Sequence, residues 1–166
     1  MITALIRADG RIEPLAATLA ALVPGVAEGL VADAVVIAAK HDPETAAVAE
    51  GVGAAHVVSA LDGGAWAAGA ALARREWLLC LEAGDVPASG WILALERFVA
   101  FAGEPRIGQL SGPLRRLDAA ALIEALFGVS RARRGLVVHR TLLDRSGLSA
   151  RLRPVRIGAR LERPAF

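Results

Sequence analysis

The sequence predicts an α/β fold: one compact domain with a mostly parallel central sheet and helices on both of its faces. Two observations predict it, since short apolar runs alternate with helical patterns and most of those runs are continuously apolar rather than alternating. At 166 residues the chain is also long enough to bury a real core. In open sheets of this kind, ligands bind beyond the carboxyl ends of the strands.

The first predicted unit starts with the apolar run "ITALIRA", which indicates a strand over residues 2–8. Apolar residues then recur three and four positions apart, as one face of a helix requires. They are Ile12, Leu15, Leu19 and Leu22. We expect Pro24 and Gly25 to end this helix, because proline lacks the backbone donor and glycine favours a helix terminus.

The second unit pairs an apolar run, Asp33–Ala39, with a short helix over Pro43–Glu50. Asp42 is a good N-cap for that helix, since proline and glutamate follow it in the first turn. Glycines at positions 51 and 53 should stop the helix.

Two further units follow the same pattern. A strand over His56–Ser59 leads into an Ala-rich helix that ends near Ala73, and a strand over Trp77–Leu81 leads into a helix that Ser89 is suited to cap. Apolar residues on one face of this last helix are Trp91, Leu95, Phe98 and Ala102.

The carboxyl-terminal part is less regular. Strands are expected at Ile107–Leu110 and Leu136–His139, with a helix over Leu117–Phe127 between them and an Arg-rich tail after them. We therefore expect a single domain over residues 1–166, with a nucleotide-binding-type α/β half over 1–105 and an Arg-rich half over 106–166.

The two halves also differ in charge. Residues 1–105 carry 6 basic and 13 acidic side chains, whereas residues 106–166 carry 13 arginines and 4 acids. Lys40 is the only lysine, and this arginine bias has two explanations, a GC-rich genome or selection for bidentate anion contacts. No nucleic-acid partner is expected, because the basic tail lacks interleaved aromatic residues and any recognised module.

Composition also indicates a cellular location. Cys80 is the only cysteine and falls inside an apolar strand, so we expect a buried thiol and no disulfide framework. Arg7 and Asp9 interrupt the amino-terminal apolar run before it reaches the length of a signal-peptide core, and no apolar stretch approaches a membrane span of ~20 residues. A cytoplasmic protein is the expectation.

Two carboxylates, Glu82 and Asp85, follow the fourth strand directly. Paired carboxylates at a strand end can hold a divalent cation such as Mn²⁺ or Mg²⁺, which would neutralise a diphosphate leaving group. The alternative is a polar turn in which Asp85 or Ser89 caps the next helix. The residues by themselves favour the turn.

A longer stretch, "GAALARREWLLCLEAGDVPASGWILAL", resembles the family-2 glycosyltransferases, which have the GT-A fold and bind nucleotide-diphosphate sugars. That family shows a Gly, an Ala four residues later, an aromatic and apolar strand, an Asp-x-Asp motif, and then Pro, Gly and an aromatic. The residues in register are Gly69, Ala73, Trp77, Leu81, Pro87, Gly90 and Trp91. "GLVVHRTLLDRSGL" (residues 135–148) is similar to a later family stretch, and the whole register runs from Ile2 to about Leu148.

The resemblance implies a nucleotide-sugar site at the strand ends. Arg7 and Asp9, after the first strand, would line the nucleotide pocket. Asp42 would be the one retained acid near the base and ribose, and Glu82 and Asp85 would contact the diphosphate or its cation.

The departures from the family pattern fall at that site. Ala38 and Ala39 stand where aspartates contact the nucleoside, and Ala67 replaces an asparagine. The Asp-x-Asp pair becomes Glu82 and Gly84, a degenerate motif, and Glu162 is the only acid left in the segment that holds the family's catalytic base. No catalytic base is identifiable.

Two functions of different classes follow. The first is transfer of a sugar from a nucleotide-diphosphate donor, present or formerly present. The second is a non-catalytic domain that binds a protein partner or, at the inner face of the membrane, anionic lipid through Arg131, Arg133 and Arg134. For residues 117–135, which contain these arginines, the simpler interpretation is an ordinary core helix followed by a solvated loop.

Overall fold

The computed structural model describes residues 1–60, 64–101, 106–111, 132–144, 147–148 and 152–165. The helix predicted over 117–127 and Arg131 lie outside these residues. The described helices are α1 Ile12–Ala27, α2 Pro43–Gly51, α3 Ala65–Leu72 and α4 Trp91–Phe101, with a 3₁₀ turn at Arg140–Leu142. The strands are β1 Ile2–Ala8, β2 Val31–Ala38, β3 Ala55–Val58, β4 Trp77–Glu82, β5 Val86–Pro87, β6 Gly108–Ser111, β7 Leu136–His139, β8 Leu143–Asp144, β9 Gly147–Leu148 and β10 Val155–Glu162.

Among the described residues, eight strands form one mixed sheet in the order β3-β2-β1-β4-β7-β6-β10-β5. The pairs β3/β2, β2/β1 and β1/β4 are parallel, and so is β6/β10. Strand β7 runs antiparallel to β4 and β6, and β5 runs antiparallel to β10. The predicted α/β fold with a mostly parallel sheet is thereby confirmed.

Helices cover both faces of the sheet, because side chains of the parallel strands alternate between two apolar cores. Ile2, Ala4 and Ile6 of β1 pack in a cluster with residues of α1, α2 and α4, whereas Leu5 packs on the opposite face with residues of α3. Cys80 of β4 is fully buried in the second cluster, as predicted. Burial raises the pKa of its thiol well above the usual range.

The predicted strands are present with ends that differ by at most two residues, but no strand was predicted in the Arg-rich tail. It forms β10, whose residues alternate between exposed and buried from Arg156 to Glu162. Arginines occupy exposed positions of that alternation and Ile157, Ala159 and Leu161 the buried ones. The prediction failed because frequent arginines masked an amphipathic strand of period two.

Helix α1 does not end at Pro24 and Gly25 as predicted. It continues to Ala27, with Pro24 inside it, and the left-handed residue after it is Gly29, with φ +77°. Gly25 serves packing instead, since a Cβ there would overlap the ring of Trp91. Contact with α4 therefore keeps the last turn helical and overrides two local stop signals.

The predicted N-cap of α2 is confirmed, whereas that of α4 is wrong. Asp42 accepts a hydrogen bond from the backbone N–H of Thr45, at 3.1 Å, and another from its hydroxyl. Helix α4 begins at Trp91, so Gly90, with φ +84°, separates Ser89 from the helix. Ser89 lies in the turn before the cap position.

Candidate functional site

A cleft opens at the carboxyl ends of β1 and β4, the edge at which ligands bind in sheets of this type. Its volume is about 190 Å³. The residues that line it are Arg7, Ala8, Asp9, Arg11, Glu82, Ala83 and Arg163. Arg7 and Glu82 face each other on adjacent strands, since their Cα atoms are register partners of β1 and β4. Local strand pairing alone thus brings a cation and an anion to this edge.

The turn after β4 is fixed by hydrogen bonds to its own ends and to α1. Asp85 Oδ2 accepts from the backbone N–H of Glu82 at 2.9 Å, and the Asp85 N–H donates to the Glu82 carbonyl at 2.9 Å. Gly84, with φ +94°, donates its N–H to Thr18 Oγ1 and to the Pro14 carbonyl, both at 2.9 Å. Such a φ favours glycine. The turn is therefore anchored to the first helix.

Asp85 is completely buried, and two guanidinium groups balance its charge. Arg134 Nη2 lies 2.6 Å from Asp85 Oδ1, and Arg134 Nε donates to Oδ2 at 3.2 Å. Arg163 Nε lies 3.4 Å from Oδ1. A buried carboxylate without such partners would be strongly destabilising. Asp85 thus organises the turn from below the cleft rather than facing the open space.

Arg163 also bridges to Glu82, on the cleft side of the same turn. Its Nη2 donates to Glu82 Oε2 at 3.0 Å and to the Ala83 carbonyl at 3.4 Å. The side chains of Arg163 and Glu82 are 40% and 34% exposed, so this pair borders solvent. Two carboxylates and two arginines form a cluster, which we term the turn cluster: Glu82, Asp85, Arg134 and Arg163.

On the β1 side of the cleft, charge is arranged around an aromatic ring. The guanidinium carbon of Arg7 lies 5.3 Å from the centre of the buried Trp66 ring, a cation–π contact. Asp9 accepts hydrogen bonds from Nε and the backbone N–H of Arg11, at 3.0 and 3.2 Å. Partial burial acts to raise the pKa of Asp9, but these bonds and the charge of Arg11 outweigh it, so the pKa is lowered.

The predicted site residues divide into three groups. Arg7, Asp9 and Glu82 line the cleft, whereas Asp85 lies buried beneath it and Asp42 is absent from its lining. Hydrogen bonds from Thr45 to the Asp42 carboxylate lower its pKa, which is the signature of an N-cap. Sequence reasoning did not name Arg11 or Arg163 and assigned Arg134 to a membrane or protein partner rather than to this site. The excess of arginine in the carboxyl-terminal half was the signal that could have directed attention to Arg134 and Arg163.

Glu82 and Asp85 do not fit a divalent cation in this geometry. Hard cations need several oxygen ligands with net negative charge, but both carboxylate oxygens of Asp85 and Oε2 of Glu82 already contact guanidinium or backbone donors. In the part of the chain that the structure describes, no three His, Cys, Asp or Glu side chains are grouped as a metal site would require. Their assignment as metal ligands stays a prediction, with metal-dependent nucleotide binding as its measurement.

The arginines predicted to reach a membrane or protein partner can be placed only in part. Arg134 contacts Asp85, and Arg133 Nε donates to Gln109 Oε1 at 3.0 Å. Both contacts hold the start of β7 against the sheet. Among the described residues, none of the helices combines the length and apolar character that crossing a bilayer demands.

A second, larger depression lies between α4 and β10, with a volume of about 460 Å³. We term it the α4/β10 groove. Its apolar lining includes Leu93, Phe98, Phe101 and Ile157, and its charged lining consists of Arg97, Arg106 and Arg156. Phe101 is 81% exposed.

Comparison with solved structures identifies the fold. Glucosyl-3-phosphoglycerate synthase from Mycobacterium tuberculosis, in complex with Mn²⁺, UDP and glucosyl-3-phosphoglycerate, aligns with a TM-score of 0.70 at 16% identity over 100% of this chain and 72% of that one. The same enzyme with Mn²⁺, UDP and phosphoglyceric acid gives 0.66 at 16% identity over 86% and 57%. Mannosyl-3-phosphoglycerate synthase from Rubrobacter xylanophilus gives 0.65 at 15% identity over 86% and 55%.

No family model and no curated protein matches the chain in sequence. In several of these alignments the chain spans little more than half the length of its structural neighbours. At such identities the likeness shows the fold, and the predicted resemblance is confirmed at that level. This chain has the α/β fold of its neighbours, which are GT-A-type glycosyltransferases.

Proposed function

We propose that this chain is a glycosyltransferase-type domain that binds a nucleotide-diphosphate sugar in the cleft at the ends of β1 and β4. The observation that supports this most directly is the lining of the cleft, in which Arg7, Arg11 and Arg163 outnumber the carboxylates of Asp9 and Glu82. An excess of guanidinium groups favours a phosphate-bearing ligand, because guanidinium matches phosphate oxygens in charge and geometry. The position of the cleft supports the proposal too, because it lies at the carboxyl ends of the strands, where ligands bind in sheets of this type.

The volume indicates how much of the ligand the cleft encloses. Pockets that enclose a whole small molecule measure about 300–1,000 Å³. A cleft of about 190 Å³ is smaller, so it holds the charged part of a ligand rather than all of it. We assign that part to the diphosphate.

The remaining predicted residues follow from this placement. Arg7 and Asp9, at the end of β1, contact the nucleotide, and the Trp66 ring under Arg7 fixes its guanidinium. Asp42 follows β2, the neighbouring strand, and would contact the nucleoside where the ligand extends along the sheet edge. Glu82 supports Arg163 from the other side of the cleft.

In the transfer itself, the acceptor oxygen bonds to the anomeric carbon of the sugar while the bond from that carbon to the diphosphate breaks. The departing diphosphate gains negative charge, which the cleft arginines stabilise. The proton of the acceptor hydroxyl must pass to a base. Glu162 is exposed on β10 and is in register with Val86, and we assign it no catalytic role.

A thermal-shift titration with UDP, GDP and UDP-glucose, each with and without Mn²⁺, tests the proposal. Ligand that binds the native state raises the melting temperature by mass action. We expect a saturable rise with at least one diphosphate and a much smaller one with the matching monophosphate, which lacks the second phosphate group.

A pair of variants locates the binding site. Arg11→Gln removes a guanidinium from the cleft, whereas Arg97→Gln removes one from the α4/β10 groove. The first should weaken diphosphate binding about tenfold, as loss of one charge-assisted contact implies, and the second should leave it unchanged. Equal weakening by both, or no shift with any nucleotide, would refute the proposal.

A further inference from the structure

The charges of the turn cluster balance one another, which bears on whether ligand binding needs a metal ion. What we infer from this balance rests on the proposed function. Glu82 and Asp85 contribute two negative charges, and Arg134 and Arg163 contribute two positive ones, within contacts of 2.6–3.4 Å. By the resemblance described above, this turn occupies the position of the metal-binding Asp-x-Asp motif. Arginine side chains therefore lie where the resemblance implies a metal ion.

The two arginines have different surroundings. Arg134 is 28% exposed and lies against the buried Asp85. Arg163 is 40% exposed and lines the cleft, while it contacts both carboxylates of the turn. Arg134 therefore balances the charge beneath the turn, and Arg163 presents a guanidinium to the ligand side.

A divalent cation at the same place would meet two guanidinium groups. Like charges at these distances repel, and an ion bound by Asp85, or by Glu82 through Oε2, would displace a contact to arginine. Asp85 also accepts from the Glu82 N–H, so a shift of its carboxylate toward an ion would break the hydrogen bond that closes the turn. The built arrangement therefore disfavours a bound cation.

We infer that this chain binds the diphosphate of its ligand without a metal ion, and that the guanidinium of Arg163 supplies the counter-charge. Arg134 acts as a positioning residue, which holds Asp85 so that Asp85 in turn orients Arg163. The Mn²⁺-bound glucosyl-3-phosphoglycerate synthase would then differ from this chain in the source of positive charge, despite the shared fold.

The test is isothermal titration of the full chain with UDP in saturating Mn²⁺ and, separately, in EDTA. We expect dissociation constants that agree within about twofold, because no metal contributes to the bound state. Arg163→Gln should weaken UDP binding at least tenfold in both buffers. Arg163→Lys should restore part of the affinity, since lysine keeps the positive charge but cannot bind a phosphate through two parallel N–H groups as guanidinium does.

Arg156→Gln is the matched control, since Arg156 lies on the same strand but lines the α4/β10 groove. Far-ultraviolet circular dichroism and melting of each variant without ligand establish that it folds. UDP binding that requires Mn²⁺, or Arg163→Gln binding as tightly as the unaltered chain, would overturn the inference and leave the proposed function standing. Absence of nucleotide binding in both buffers would overturn the two together.

Discussion

The cleft and the α4/β10 groove are each lined by three arginines, but the partners of these arginines differ between the two places. In the cleft, Arg11 pairs with Asp9, Arg163 pairs with Glu82, and Arg7 lies over Trp66. In the groove, Arg97, Arg106 and Arg156 form no ion pair with any residue that the structure describes, and the remaining lining is apolar or glycine.

The arginines of the cleft are therefore positioned by neighbouring side chains, whereas those of the groove are not positioned by ion pairs with described residues. Carboxylates and an aromatic ring fix the cleft arginines in direction, which is the preorganisation that recognition of a defined anion needs. Within the described part of the chain, the groove arginines have no carboxylate partner of this kind. Counts of arginine along the sequence therefore overstate the number of places suited to a specific ligand.

The largest expected effect comes from removing the buried centre of the turn cluster. Asp85→Ala leaves Arg134 and Arg163 without their shared carboxylate, and loss of one partner of a buried pair costs about 3–5 kcal/mol. Urea unfolding should show that loss as a lower midpoint. Asp9→Ala, which breaks an exposed pair, should cost about 1 kcal/mol or less. A midpoint for Asp85→Ala as high as that for Asp9→Ala would contradict the burial argument.

A smaller effect is expected from replacing a glycine by alanine in the turn after β4, compared with the same replacement in the α4/β10 groove. Gly84→Ala forces a Cβ into a φ of +94° and should cost about 1–2 kcal/mol. Gly158→Ala, in the lining of the groove, meets no atom within 4 Å and has no positive φ, so it should be nearly neutral. Melting temperatures of the two variants decide this. Equal stability would mean that the turn tolerates rearrangement.

Charge removal in the groove should have a smaller effect still, and one of opposite sign. Arg97→Gln relieves repulsion among like charges, so we expect a change within about 0.5 kcal/mol, neutral or stabilising at low salt. High salt should abolish it, because screening acts over a Debye length of ~10 Å at 0.1 M. Destabilisation that persists in high salt would point to a packing role for the arginine stem.

The smallest effect concerns pH. The pKa of Asp9 and that of Asp42 are both lowered below the unfolded value of 3.8, so each carboxylate stabilises the fold above that pH and loses its contribution as pH falls through the folded pKa. Asp42→Asn keeps a capping side chain but removes the charge. Its melting temperature should therefore fall less steeply in acid than that of the unaltered chain, and an identical acid slope would contradict this.

Most of the fold could be predicted from sequence because its signals are local. Apolar runs identified β1 and β7 to the residue, and Asp42 before a proline identified the start of α2. The end of α1 could not be predicted in this way, since it depends on Trp91, a residue of another helix. Strand β10 was missed because arginine at exposed positions obscured its alternation.

The residues of the candidate site also divide into those that local sequence predicts and those that depend on tertiary structure. Arg7, Asp9 and Glu82 follow directly from strand ends, so sequence placed them at one edge. The role of Asp85 beneath the turn and the contact of Arg163 with Glu82 depend on tertiary structure, because β10 must first dock beside β6 and β5. No local pattern relates a basic residue near the end of the chain to an acid near its middle.

That docking has a consequence for how the protein is made. The contact between Arg163 and Glu82 spans 81 positions of the chain, among the longest closures in the fold. Synthesis proceeds from the acidic half to the basic half, so a nascent chain that has completed β4 carries an unneutralised Asp85 until β7 and β10 emerge. The turn after β4 therefore acquires its native ion pairs only after β7 and β10 have been synthesised, well after the turn itself.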